Sequence, residues 1–241
     1  MKNILLDLLF PHKCILCEAK GLDDLDLCWA CHSELPTIKN DGKYCEKCGN
    51  SLSTATFATM QLCGECIKNP PPFDRTLAIF NYQKPIDYLI LKLKFNNNLS
   101  CAALLGNLMA KQLLAHYSQQ KLLKPEVIIP IPLHSQRLKE RGFNQAVELA
   151  RPIAKALSIP IDKYSFIRIK NTEAQSLLKT KERQQNIKQA FAIKKITGYR
   201  YVAVIDDVIT TGNTVKEFCN ILRTAGIIKI DLWSAARAKM H

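Results

Sequence analysis

An α/β fold is predicted for most of this 241-residue chain: a parallel sheet flanked by helices, with a small zinc-bearing module ahead of it. Three observations carry that expectation. From residue 73 onward, apolar runs of strand length alternate with longer segments of helical period, the pattern of strands joined by crossover helices. Four C-x2-C pairs crowd the first 66 residues. A proline run, KNPPPF at 68–73, lies between the two as a stiff linker, so the expected division is 1–72 and 73–241.

The first ten residues, MKNILLDLLF, hold an apolar run interrupted by Asp7 and no small-residue cleavage site. A short helix packed on the body is expected there, not a signal peptide. No window reaches the roughly 20 apolar residues that a membrane-spanning helix needs.

The cysteines follow. Cys14/Cys17, Cys28/Cys31, Cys45/Cys48 and Cys63/Cys66 are the four pairs, leaving Cys101 and Cys219 single. A C-x2-C knuckle turns two thiolates toward one point, and two knuckles complete a tetrahedral four-sulfur shell. Gly49 and Gly64 fit tight turns in which backbone N–H groups approach the sulfurs. Disulfides would need an oxidising compartment, and no export signal is read in the chain. A thioredoxin-like pair would sit once on a strand-to-helix unit, not four times within about fifty residues of polar loop. Structural zinc is left: two ions, each with every position filled by sulfur and none open to water. Sequential pairing closes gaps of 10 and 14 residues, close to ordinary ribbon loops, and is preferred. Interleaved pairing, Cys14/Cys17 with Cys45/Cys48, stays open. So small a module has little core, and metal supplies its folding energy. Cys101 and Cys219 sit in apolar helical patterns and read as core residues.

In the body, RTLAIFNY (75–82) reads as a strand, and PIDYLILKLKF (85–95) as a helix opened by proline. LSCAALLGNLMAKQLLAHY (99–117) is a long helix with a continuous apolar face. EVIIPIP (126–132) is a fully apolar strand ended by prolines. GFNQAVELARPIAKALS (142–158) is a helix that Pro152 should kink or divide. YSFIRI (164–169) and YRYVAVI (199–205) read as strands, TVKEFCNILRTAG (214–226) as a helix closed by Gly226, and IKIDLWSAA (228–236) as the final strand.

The stretch VAVIDDVITTGNT, 202–214, carries the chemistry. In an open parallel sheet, ligands bind beyond the carboxyl ends of the strands, where Asp206 and Asp207 fall. Thr210, Thr211, Gly212, Asn213 and Thr214 then lead into a helix whose N-terminal amides form an anion site. Two carboxylates would repel a bare phosphate. They fit a sugar phosphate, accepting hydrogen bonds from its hydroxyls or meeting its magnesium. A ribose 5-phosphate satisfies both halves. No G-x-x-x-x-G-K-[ST] occurs, so this is not a Walker A loop.

Composition and charge set the outer limits. Hydrophobic residues make up 47% of the chain and charged residues 23%, the balance of a globular protein and not of a disordered one. The formal charge of +13 is uneven: residues 1–72 hold 7 Lys and Arg against 9 Asp and Glu, and residues 73–241 hold 27 against 12. Residues 134–200 alone carry 15 against 5. A basic body suits phosphate-bearing ligands or nucleic acid, although many surface lysines serve only solubility.

The doubled aspartate before T-T-G-x-T resembles the signature of type I phosphoribosyltransferases, which bind 5-phosphoribosyl 1-pyrophosphate with magnesium. IIPIPLHSQRLKERGFNQA (128–146) and AQSLLKTKERQQNIKQAF (174–191) resemble the ComF family of competence-associated proteins, which join a cysteine-rich zinc module to a phosphoribosyltransferase domain. R-G-F-N-Q at 141–145 and the Gln175, Arg183, Asn186, Phe191 spacing are the more distinctive marks. The resemblance implies a pyrophosphate-contacting loop at Pro132–Leu133, with Arg137, Lys139 and Arg141 beyond it to neutralise the leaving group. Arg183 and Gln175 would sit on a hood over the acceptor. It also implies a cytoplasmic setting, at most peripheral at the inner face of the membrane, with single-stranded DNA and DNA-uptake proteins as candidate partners. Three functions stay open: phosphoribosyl transfer to an acceptor, non-catalytic ligand sensing in a DNA-handling protein, and a scaffold recruited through its zinc ribbons.

Overall fold

In the computed structural model, residues 12–22, 25–39, 41–52, 61–171 and 189–239 are described. The expected helix over 1–10 lies outside them, as do Gln175, Arg183 and Asn186.

The cysteine-rich segment forms two small lobes with one short helix each, α1 (Trp29–Ser33) and α2 (Gly64–Lys68). The body contains β1 (Arg75–Asn81), α3 (Ile86–Phe95), α4 (Leu99–Gln119), β2 (Val127–Pro130), α5 (Ser135–Arg141), α6 (Gln145–Leu157), β3 (Phe166–Arg168), β4 (Phe191–Ile193), β5 (Tyr201–Ile209), α7 (Asn213–Thr224) and β6 (Lys229–Arg237). Four strands make one parallel sheet in the order β1-β6-β5-β2. Parallel strands need crossover helices, and the helices put apolar layers on both faces. Ile79, Ile128, Ala203, Ile205 and Trp233 belong to the core shared with α3, α4 and α6. Val127, Ile129, Val202, Val204 and Leu232 alternate with them and join the opposite core, under α7 and the β3–β4 pair. That two-residue alternation across fully apolar strands places a core on each side.

Both edges of the sheet are occupied. On β1, the Ile38 N–H donates to Ile79 O at 2.9 Å, and the Asn81 and Thr76 N–H groups donate to Pro36 O and Glu46 O, each at 2.9 Å. The zinc lobes therefore sit along that edge. On β2, the Ile128 N–H donates to Pro160 O, and the Asp162 N–H to Ile128 O, each at 2.9 Å. An unpaired parallel edge would invite pairing with other chains.

Three elements differ from the sequence expectation. The 164–169 strand is short and belongs to a separate antiparallel pair, β3 with β4, because a two-residue period specifies a strand but not its partner. Ser135–Arg141 is helical, closed by Gly142 at φ +75°. Pro152 neither ends nor divides α6. It packs on α4 at Gly106, where an added Cβ would lie 2.9 Å from both Leu149 O and Pro152 Cγ. Gly226, at φ +89°, follows α7 as expected, and Cys101 and Cys219 are fully buried. Burial pushes the Cys101 thiol up to about 11.

Candidate functional site

Two metal centres come first. Cys14, Cys17, Cys28 and Cys31 converge in one cluster and Cys45, Cys48, Cys63 and Cys66 in another, with all sulfurs of each set within 4.8 Å of one another. The pairing is sequential. Four thiolates about 2.3 Å from one zinc stand roughly 3.8 Å apart at the corners of a tetrahedron. The Cys17–Cys28 and Cys48–Cys63 sulfurs are each 3.6 Å apart, so both sets fit zinc. Backbone amides aim at the sulfurs, from Cys31 to Cys28 Sγ at 3.5 Å and from Cys63 to Cys45 Sγ at 3.3 Å. Gly49 takes φ +71°, which lets the chain turn back beside Cys48.

A cleft of 320 Å3 opens at the carboxyl ends of β2 and β5. Asp206 and Asp207 lie among the last four residues of β5, where one oxygen of each is held by a backbone amide: Asp206 Oδ1 by the Asp207 N–H at 2.8 Å, and Asp207 Oδ1 by the Val208 N–H at 2.7 Å. Asp207 Oδ2 pairs with Lys94 Nζ at 2.8 Å, from the last turn of α3. Lys94 itself lines the cleft. Next comes the loop into α7. Its N-cap is Gly212 at φ +76°, and no side chain of the cap residue covers the helix N-terminus. Asn144 secures the opposite wall: its Oδ1 accepts from the Ala146 N–H and its Nδ2 donates to Ile131 O, both at 2.9 Å. A bridge between His134 and Arg168 draws β3 against the start of α5, bringing Arg168 near Arg137.

The electrostatics follow from this crowding. Burial pushes the Asp206 carboxyl up to about 7, and the Asp207 charge adds to it. Burial alone would lower Lys94, but its attraction to Asp207 holds it above the ordinary lysine value. Arg141 and Arg168 are both pushed down, first by burial and then by the Arg137 charge. Cations pressed together in a partly dry cleft mark an anion site. Gln145 Nε2, on a cleft-lining side chain, has no hydrogen-bond partner among the described residues.

A family model for the double zinc ribbon domain matches residues 5–67. Competence protein F of Haemophilus influenzae is 35% identical over 233 residues, covering 95% of this chain and 98% of that protein. The chain belongs to the ComF family of competence proteins. The DNA utilization protein YhgH of Escherichia coli K12 is 31% identical, over 88% of this chain and 96% of its own length. Competence protein ComFC of Bacillus subtilis is 26% identical, over 84% and 85%. Among solved structures, the glutamine phosphoribosylpyrophosphate amidotransferase of B. subtilis overlaps 54% of this chain and 25% of its own, at 19% identity and a TM-score of 0.35. A hypoxanthine phosphoribosyltransferase from Staphylococcus aureus overlaps 54% and 61%, at 18% identity and 0.33.

In this ComF-family chain the cleft gathers Asp206, Asp207, Thr210, Gly212, Asn213 and Thr214 with Leu133, Arg137 and Arg141. Pro132, Lys139 and Thr211 are not among the lining residues. Lys94, Arg168, Gln145 and Tyr82 line it without having been expected. Lys94 carried a signal: it stands four residues after Ile90 and eight after Ile86, both fully buried, so a lysine interrupts the buried stripe of α3. Among the described residues, no helix is long and apolar enough to cross a membrane.

Proposed function

We propose that this chain acts in DNA uptake and that its cleft binds 5-phosphoribosyl 1-pyrophosphate with magnesium. The sorting of charge within the cleft supports this reading most. The 5-phosphate lies in the Thr210–Thr214 turn, against the uncapped amides of α7. Asp206 and Asp207 accept hydrogen bonds from the vicinal hydroxyls and offer oxygens to a hard cation that keeps much of its water. Lys94, Arg137, Arg141 and Arg168 neutralise the pyrophosphate, the arginines by two-pronged contacts that a lysine cannot make. Gln145, whose Nε2 lacks a hydrogen-bond partner among the described residues, gains one in the ligand. Magnesium, when bound, neutralises charge that would build on a departing pyrophosphate.

Isothermal titration with the ligand and magnesium tests the reading. The wild type is expected to bind, and Asp206→Ala combined with Asp207→Ala to weaken binding at least a hundredfold, about 3 kcal/mol for the hydrogen bonds lost. Equal affinities in the two proteins would remove the acids from the site. The same arrangement serves a transferase or a sensor, and pyrophosphate release against a panel of bases separates them.

A second reading has its own support. Phe95 is exposed at the cleft, and Tyr88 on the same helix carries Lys92 Nζ 4.6 Å from its ring centroid. Exposed aromatics beside cations suit single-stranded nucleic acid. Binding to single-stranded DNA should then fall steeply with salt, by about 0.7 log units of affinity per decade of salt for each phosphate neutralised. A flat response would exclude it.

A further inference from the structure

Arg237, the last residue of β6, is 4% exposed, and its guanidinium ties two distant parts of the chain together. Its Nε donates to the carbonyl of Cys48 at 3.0 Å, within the second cysteine cluster. Its Nη1 donates to Ile209 O at 2.9 Å, to Ala238 O at 3.3 Å, and to Thr210 O. Ile209 and Thr210 form the turn from β5 into the ligand loop. The backbone of Arg237 reaches the cleft as well, because its carbonyl accepts from the N–H of cleft-lining Tyr82 at 2.9 Å. Thr76 reinforces the link: its Oγ1 donates to Lys47 O at 2.5 Å, and an added Cβ on Gly49 would sit 3.1 Å from Thr76 Cγ2.

A buried guanidinium needs compensating charge. Carbonyl dipoles supply part of it here. A zinc held by four thiolates carries a net double negative charge, so the metal-loaded second cluster supplies more. We propose that Arg237 is a positioning residue that couples the metal state of the Cys45/Cys48/Cys63/Cys66 centre to the shape of the Ile209–Thr214 turn. Loss of the metal from that centre frees the Cys48 carbonyl from its fixed place, releases one end of the guanidinium, and loosens the turn. Among the described residues, no side-chain hydrogen bond ties the first centre to that turn: Cys14 and Cys28 belong to the core shared with α3 and α4, on the far side of the sheet from α7. The ligand part of this inference rests on the phosphoribosyl reading above, and the loop part does not.

The test uses the full-length protein in three forms beside the wild type: Arg237→Met, Cys48→Ser with Cys63→Ser, and Cys17→Ser with Cys31→Ser. The serine pairs replace the more accessible thiols of each centre. Zinc content, amide hydrogen exchange across 209–214, and affinity for 5-phosphoribosyl 1-pyrophosphate are measured on each. Arg237→Met should keep two zincs, lose protection across 209–214, and bind ligand about tenfold or more weakly, the effect of one charged hydrogen bond. Cys48→Ser with Cys63→Ser should open the same amides, and Cys17→Ser with Cys31→Ser should leave them protected. Unchanged protection in Arg237→Met, or equal opening by loss of either centre, overturns the coupling. Should the wild type bind no ligand, the phosphoribosyl reading falls, while hydrogen exchange still decides the coupling.

Discussion

Replacing Lys94 with Met keeps the length of the side chain and removes its charge. Lys94 Nζ lies 2.8 Å from Asp207 Oδ2, with the lysine side chain 25% exposed and the carboxylate 10%. At an effective dielectric of about 20, unit charges at that 2.8 Å separation attract by about 6 kcal/mol before desolvation is counted. Removing one partner of a buried pair leaves the other uncompensated, which costs about 3–5 kcal/mol. Since Lys94 keeps some contact with water, about 3 kcal/mol is expected near pH 8, a fall of about 6–12 °C in Tm for a chain of this size. The pH dependence has a defined sign. Asp206 already stands at about 7, and Lys94 is one of the charges holding it down, so losing Lys94 raises it further. The folded value exceeds the unfolded one in both proteins, so the extra penalty of the variant is absent well below about pH 7, where Asp206 is protonated in both folded forms, and complete only above the variant's own higher value. The deficit of the variant should therefore grow as pH rises from 5 to 8. Urea unfolding of zinc-loaded protein at pH 5 and pH 8 measures it, and Lys94→Met with Asp207→Asn should recover most of the loss. A variant as stable as wild type at pH 8, or a double variant no better than the single one, would refute the buried-pair argument.

Other outcomes follow from the same structure. Ligand affinity should fall as pH drops through about 7, where Asp206 takes up a proton and loses the charge that strengthens its hydrogen bond from a ribose hydroxyl and attracts magnesium; titration of Asp206→Asn over the same range removes the ligand's own phosphate ionisation from the comparison. Gly106→Ala should destabilise the protein by about 1–3 kcal/mol despite alanine's better helix propensity, because the new methyl meets a carbonyl oxygen and the Pro152 ring; unfolding midpoints report it. Arg75→Met strands the fully buried Asp231, whose Oδ2 lies 2.6 Å from the guanidinium and 2.7 Å from the Tyr201 hydroxyl, and should cost about 3 kcal/mol by denaturant titration. Chelation of zinc should release two equivalents per chain and abolish cooperative unfolding of the N-terminal lobes, read by metal analysis and by calorimetry.

The regular parts of this molecule were legible because they depend on local pattern. The C-x2-C spacing specified the knuckles, helical period specified α3, α4 and α7, and the doubled acid ahead of T-T-G-N-T marked the loop. What escaped depends on partners distant in sequence. The strand at Phe166–Arg168 meets Phe191–Ile193 across more than twenty residues, and nothing in either segment names the other. Arg168 reaches the cleft only because that pair leans on α5. Pro152 looked like a break; the glycine that receives it lies on a different helix. Arg237 gave no signal at all, since an arginine closing a strand is ordinary until the carbonyls around it are known.

The order of the strands bears on how the chain is made. β1 is the first strand to leave the ribosome, yet its neighbour in the sheet is β6, nearly 150 residues later in the chain. Throughout translation the nascent β1 has no sheet to join, and a product stopped short of residue 229 leaves it stranded. The zinc lobes emerge before it and already cover one of its flanks, so metal supply during synthesis, and not only afterwards, should govern how much of the product escapes aggregation.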